Sequence, residues 1–149
     1  MKSMTRNKGV RETTIDAKGL VLGRMASIVA KRLLNGETIH IVNAEEAVIS
    51  GRRLSIVKES KEFLQVGHFR KGPLHPRRPD MIVKKTVRGM LPRKKPRGQE
   101  ALKRLRVHIG VPQELRDREK ETMPEVDARN LRGPCIRVSE LARNIGWKE

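Results

Sequence analysis

Residues 13–42 read TTIDAKGLVLGRMASIVAKRLLNGETIHIV, and their periodicity decides the fold class. Thr13-Thr14-Ile15 suits a short strand, because β-branched side chains pack well on a pleated surface. Asp16-Ala17-Lys18-Gly19 is a turn. From Leu20 to Leu34 the period changes. Leu22, Met25, Ala26, Val29, Ala30 and Leu33 recur at i, i+3, i+4, i+7, i+8 and i+11, one face of a helix, with Arg24, Ser27 and Lys31 opposite. Asn35-Gly36 is a stop signal, since both residues tolerate the left-handed conformation after a last turn. Thr38–Val42 is then a second strand. A strand–helix–strand unit implies parallel pairing through a right-handed crossover, so the chain reads as α/β.

Downstream, Asn43-Ala44-Glu45-Glu46 links to a strand at Ala47–Ile49. Four residues are too few for a helical crossover, and the spacing leaves the pairing of these strands open. A second helix is expected from Arg52 to Val66, with Leu54, Val57, Lys61 and Leu64 on one side and Ile56 and Phe63 widening the apolar face. A third runs from Pro79 to Met90. Pro79 fits a first helical position and Asp80 suits the positive end of the helix dipole. Ile82, Val83, Thr86, Val87 and Met90 form its inner face, and Lys84, Lys85 and Arg88 its outer one. Gln99–Leu105 reads as a short helix, and Val107 and Ile109 as a last strand. Residues 113–127, rich in acids, read as a solvated helix or linker. Ser139 is placed to cap a closing helix that turns Leu141, Ala142 and Ile145 inward. The resulting organisation is a basic leader (1–11), an α/β domain (12–112), and a charged linker with a short C-terminal helix (113–149).

Between Gly67 and Gly98 the composition departs from that of any core element. Arg70, Lys71, Arg77, Arg78, Lys84, Lys85, Arg88, Arg93, Lys94, Lys95 and Arg97 face a single acid, Asp80, and five prolines break the run. The expectation is two proline-stiffened basic loops, 67–78 and 91–98, joined by the third helix. The formal charge is +17 and the isoelectric point is about 11.1, which points to a polyphosphate partner. Phe63, Phe69 and Trp147 are the only aromatics. Single-strand readers use several stacking platforms, so structured RNA or duplex held by its phosphates fits better.

Other functions find little support. No apolar run of membrane-spanning length occurs, and the N-terminus lacks the apolar core of a secretory signal. The expected location is cytoplasmic. Neither GxxxxGK[ST] nor GxGxxG is present. Adjacent carboxylates such as Glu45 and Glu46 point apart, which argues against a paired acid–base site. His40 and His108 read as strand residues. One cysteine, Cys135, allows no internal disulfide and no cysteine-based metal site. No catalytic residue, metal or cofactor is expected.

Two separated stretches carry a specific likeness: IDAKGLVLGRMASIVAKRLLNGETIHIVNAEEAVISG (15–51) and VRGMLPRKKPRGQEALKRLRVHIGVP (87–112). They resemble the universal large-subunit ribosomal protein thirteen family. GHFRKGPLHPRRPDMIVKKTVRGMLP (67–92) and SELARNIGW (139–147) resemble its archaeal and eukaryotic branch. The resemblance implies a three-layer α/β/α fold around a four-stranded, mainly parallel sheet. It implies a non-enzymatic constituent of the large subunit that binds rRNA, acts early in assembly and adjoins other large-subunit proteins. The family's GMLP loop falls on Gly89-Met90-Leu91-Pro92 and its first-helix GR on Gly23-Arg24. Eukaryotic relatives are linked to silencing of certain mRNAs, so a regulator acting outside the ribosome is the rival reading. Phosphate contacts are expected chiefly from Arg70, Lys71, Arg77, Arg78, Arg93, Lys94, Lys95 and Arg97. Arg24, Lys31, Arg52, Arg53, Lys84, Lys85, Arg88, Lys103 and Arg104 are of second rank, and His68 and His75 are expected to stack or hydrogen-bond within the loop.

Overall fold

The computed structural model of the chain describes residues 11–67, 70 and 75–148. β1 (Glu12–Asp16), α1 (Leu22–Leu34) and β2 (Thr38–Val42) build the expected unit. The two strands pair in parallel from Glu12↔Thr38 to Asp16↔Val42. All six residues of the apolar face of α1 are buried. Its end is a Schellman motif: the Gly36 amide donates to the Leu33 carbonyl (3.1 Å) and the Glu37 amide to that of Arg32 (3.3 Å). Gly36 takes φ +97°, a conformation that side-chain-bearing residues rarely adopt.

The chain continues through β3 (Val48–Ser50), α2 (Arg53–Gln65), α3 (Pro79–Gly89), α4 (Pro96–Lys103), β4 (Leu105–Val107), β5 (Lys120–Glu121), β6 (Cys135–Arg137) and α5 (Val138–Asn144). The main sheet has the order β4-β2-β1-β5 and every pairing in it is parallel. This is the expected α/β class with a four-stranded sheet. The open question of the short link resolves simply: β2 and β3 do not pair. Asn43, at φ +54°, turns the chain and donates from Nδ2 to Asp16 Oδ1 at 3.0 Å. β3 then leaves the sheet to pair antiparallel with β6, from Val48↔Arg137 to Ser50↔Cys135.

Ile15, Ile39, Ile41 and Leu105 are fully buried in one cluster with Met25, Val29 and Leu33 of α1, Val83 and Val87 of α3, and Ala101 of α4. A smaller cluster of Ile136, Leu141 and Ile145 gathers Ile49, Ile56, Val57, Leu64 and Ile82 against it. The inward residues of α5 are therefore those expected, although Arg137, not Ser139, is the N-cap and Ser139 lies inside the helix.

Four parts of the chain differ from expectation. α2 buries no residue; Leu54 is 85% exposed and Phe63 54%. These two are nine residues apart, which is two and a half turns, so they cannot share a face. α4 begins at Pro96 and β4 at Leu105, each earlier than expected. Pro96 occupies the first helical position, a role proline suits, and Ile109 is left exposed. Residues 113–127 are no solvated helix. They supply β5 at the sheet edge and bury Leu115, Met123 and Val126.

Arg32 adds an ionic tie between α1 and this acid-rich segment. Its guanidinium donates to Glu121 (3.1 and 3.2 Å), Glu37 (2.9 Å) and Thr13 (3.3 Å). Burial alone would favour losing the proton, but the bonds to Glu121 and Glu37 outweigh it and hold the group still more firmly charged. The register puts Thr14, His40, Arg106 and Lys120 together on the opposite side of the sheet from Ile15 and Ile41. There the His40 and His108 rings stack at 5.7 Å with planes 7° apart, and their Nδ1 and Nε2 atoms are 3.4 Å apart. His40 Nε2 meets Glu12 Oε1 at 2.9 Å, and Arg118 donates to the same oxygen at 2.6 Å. The Arg118 bond holds the Glu12 carboxyl below its usual range despite some desolvation. Burial, with the nearby His40 and Arg106 charges, pushes the His108 imidazole below 6.5.

Candidate nucleic-acid interface

α3 carries the site. Pro79, Val83 and Val87 form its buried stripe at i, i+4 and i+8. Met81, Lys84, Lys85 and Arg88 recur at i, i+3, i+4 and i+7 on another stripe, which places them as neighbours. Lys85 is exposed, and Lys84 and Arg88 are half-buried. This mixture of exposure is what long cationic side chains show when their stems lie on apolar surface and their heads reach water.

The turn that follows is tightly built. The Arg93 amide donates to the Leu91 carbonyl at 2.8 Å and the Lys95 amide to that of Pro92 at 3.0 Å. Gly98 and Gln99 both donate to the Lys95 carbonyl (3.1 and 3.2 Å), and the Gln99 side chain donates to that of Arg93 (3.2 Å). Gly98 packs against Pro92 so closely that a Cβ there would lie 2.5 Å from the Pro92 carbonyl carbon and 3.1 Å from its Cα. Leu91 is buried beneath the turn. Arg93, Lys94, Lys95 and Arg97 are all exposed on it. Among the described residues, no carboxylate lies within ion-pair distance of these four or of Lys84 and Lys85. Six cations without an acidic partner make this face strongly electropositive.

Two connected grooves run along it. One of about 480 Å³ has Lys84, Lys85 and Arg88 with Pro76, Met81 and Leu102 in its walls, and His75 at its border. The other, about 230 Å³, shares Arg88 and Leu102 and extends to Arg93 and Lys94. α3, the turn and the start of α4 are thus brought together.

The remaining candidates spread further. Arg70 is exposed. Arg77 lies against Gly146 beyond α5. Arg78 stands 3.4 Å from Asp80 but keeps its side chain 63% exposed. His75 packs on Phe63, with ring centroids 5.7 Å apart. Arg24 and Lys31 are on the exposed side of α1, Arg52 is exposed before α2, and Lys103 is exposed on α4. Arg53 is tied to Glu140 at 2.7 Å. Arg104 turns inward: its Nη2 donates to the Leu33 carbonyl at 2.6 Å, so its charge satisfies the end of α1. Lys71 and His68 lie outside the described residues. Sequence reasoning gave no role to Met81 or Leu102, which line the larger groove; on an outer helical face nothing but the cationic neighbours at 84, 85 and 88 could have marked them.

Comparisons with known proteins identify the family to which the chain is similar. The profile of the family described as ribosomal protein L13 matches residues 11–114. The chain is 51% identical over 138 residues to the large ribosomal subunit protein uL13 of Methanosarcina barkeri, covering 91% of this chain and 99% of that one. It is 46% identical to the protein of the same name from Archaeoglobus fulgidus over 138 residues, covering 91% and 88%. It is also 46% identical to that of Aeropyrum pernix over 143 residues, covering 93% and 92%. The chain belongs to the ribosomal protein L13 family.

Proposed function

We infer that this protein is a structural, non-enzymatic constituent of the large ribosomal subunit, that it binds large-subunit rRNA through phosphate contacts, and that it joins the subunit early in assembly. The observation that carries the reading is the Leu91–Gly98 turn. Its hydrogen bonds and the Gly98–Pro92 contact shape the backbone from which Arg93, Lys94, Lys95 and Arg97 project. A preorganised surface loses less conformational entropy on binding than a flexible basic tail. Arginine forks onto phosphate oxygens and lysine acts as a point charge, so Arg88, Arg93 and Arg97 set orientation while Lys84, Lys85, Lys94 and Lys95 add attraction. The α/β core is the platform: it buries the inner stripe of α3 and leaves the outer one to the RNA. Among the described residues no helix is long and apolar enough to cross a membrane, and the partners are rRNA and neighbouring large-subunit proteins in the cytoplasm.

Sedimentation of lysate from cells that make this protein tests the reading. The chain is expected to travel with large subunits through a sucrose gradient. Its accumulation at the top of the gradient, free or on mRNA, defeats the structural role and leaves the regulator.

A further inference from the structure

We propose that the larger groove on α3 takes one unstacked nucleotide of the rRNA, its base on the apolar wall and its phosphate on the cations. The proposal rests on the rRNA reading above and adds a base contact to a surface otherwise explained by phosphates alone.

Four observations carry it. The groove has about 480 Å³ of space, within the range of about 300–1,000 Å³ that small-ligand sites show. Its walls are divided by chemistry. Pro76, Met81 and Leu102 are apolar, Lys84, Lys85 and Arg88 are cationic, and no acid lines it. A nucleotide has the same division: a flat, largely apolar base face beside an anionic phosphate. Met81 is 47% exposed in a helix whose inner stripe is fully packed, so it is surplus to the core. Finally, Arg88 Nε and His75 Nε2, both on residues of this groove, are buried without a hydrogen-bond partner. Buried polar atoms are seldom left so. Both atoms are covered in the fold, as Arg104 Nε is elsewhere, so a base edge or phosphate oxygen bonds them only once the Arg88 and His75 side chains turn toward it.

The test compares two single variants of the full-length chain, Met81→Ala and Lys84→Gln, for binding to purified archaeal large-subunit rRNA across a salt series. Met81→Ala is expected to weaken binding about three- to tenfold, the effect of losing part of an apolar contact, with no change in salt slope. Lys84→Gln is expected to weaken binding and to lower the slope by about 0.7–0.9, as loss of one phosphate contact does. If Met81→Ala binds like wild type while Lys84→Gln weakens, the base contact is wrong and the phosphate reading stands. If neither changes, the groove takes no part in binding and the proposal falls, while the phosphate reading of the Leu91–Gly98 turn is decided by its own variant. A second readout is the Met81 methyl resonance during titration with each of the four nucleoside monophosphates. A shift greater than that given by inorganic phosphate is expected with at least one of them. No shift with any of the four, or an equal one from phosphate alone, overturns the proposal.

Discussion

Gly98→Ala probes the link between backbone packing and RNA binding. In isolation the change favours the fold, because alanine is preferred to glycine in a helix by about 1 kcal/mol. Here the new Cβ would collide with the Pro92 carbonyl, whose carbon would be 2.5 Å away. The obstacle is backbone, so no side-chain rotation relieves it. The same carbonyl oxygen accepts from the Lys95 amide at 3.0 Å, and displacing it opens the turn that presents Arg93, Lys94 and Lys95. Forced overpacking costs about 1–3 kcal/mol. Set against the helix gain of about 1 kcal/mol, the net loss is about 0–2 kcal/mol, a fall in Tm of up to about 8 °C for a chain of this size. Thermal unfolding by circular dichroism reads the first effect, and rRNA binding at fixed salt reads the second, a loss of affinity. An alanine variant with wild-type Tm and wild-type affinity would refute the reasoning, because the turn would then not depend on this contact.

Two further outcomes are expected. Arg104→Met removes a charged donor from the Leu33 carbonyl and should destabilise the protein by about 1–2 kcal/mol while leaving the salt slope of rRNA binding unchanged; a lower slope would show that Arg104 reaches phosphate. His108 is held below its ordinary value of 6.5, so in acid the unfolded chain takes up its proton before the folded one does. Stability is therefore complete above the ordinary histidine range and declines as pH falls through it. His108→Gln should flatten that decline between pH 7 and 5 in denaturant titrations, and an undiminished decline would place its origin elsewhere.

How much of this was legible depended on the length of each signal. α1 offered six apolar positions on one face and a Schellman-type stop, and β1 and β2 flanked it, so the parallel unit could be read directly. The outer stripe of α3 was readable for the same reason. The C-terminal segment was not. β5 is two residues long, too short to show alternation, and its attachment depends on Arg32 meeting Glu121 across 89 positions. Most of its acids are exposed and only Glu121 meets a cation of another element, Arg32; what the acids masked is the burial of Leu115, Met123 and Val126 between them. In α2 the apolar side was legible in Ile56, Val57 and Leu64, which pack against the smaller cluster, but Leu54 falls away from it and stays exposed. The basic turn was visible as charge, whereas its rigidity was not, since that comes from Gly98 touching Pro92 and from main-chain bonds that leave no mark in composition. Arg104 shows the converse, a cation indistinguishable by sequence from its neighbours whose guanidinium the fold turns onto the Leu33 carbonyl.

The central claim is that a fixed cationic turn grips rRNA phosphates. The most direct measurement is the salt dependence of rRNA binding for a variant in which Arg93, Lys94, Lys95 and Arg97 are all changed to Gln. Each lost contact on duplex-like RNA lowers the slope of log affinity against log salt by about 0.9. The account predicts a slope reduced by about 2–4, weaker binding at every salt concentration, and an unchanged Tm, because all four side chains are exposed. An unchanged slope would contradict it and move the interface to another face of the molecule.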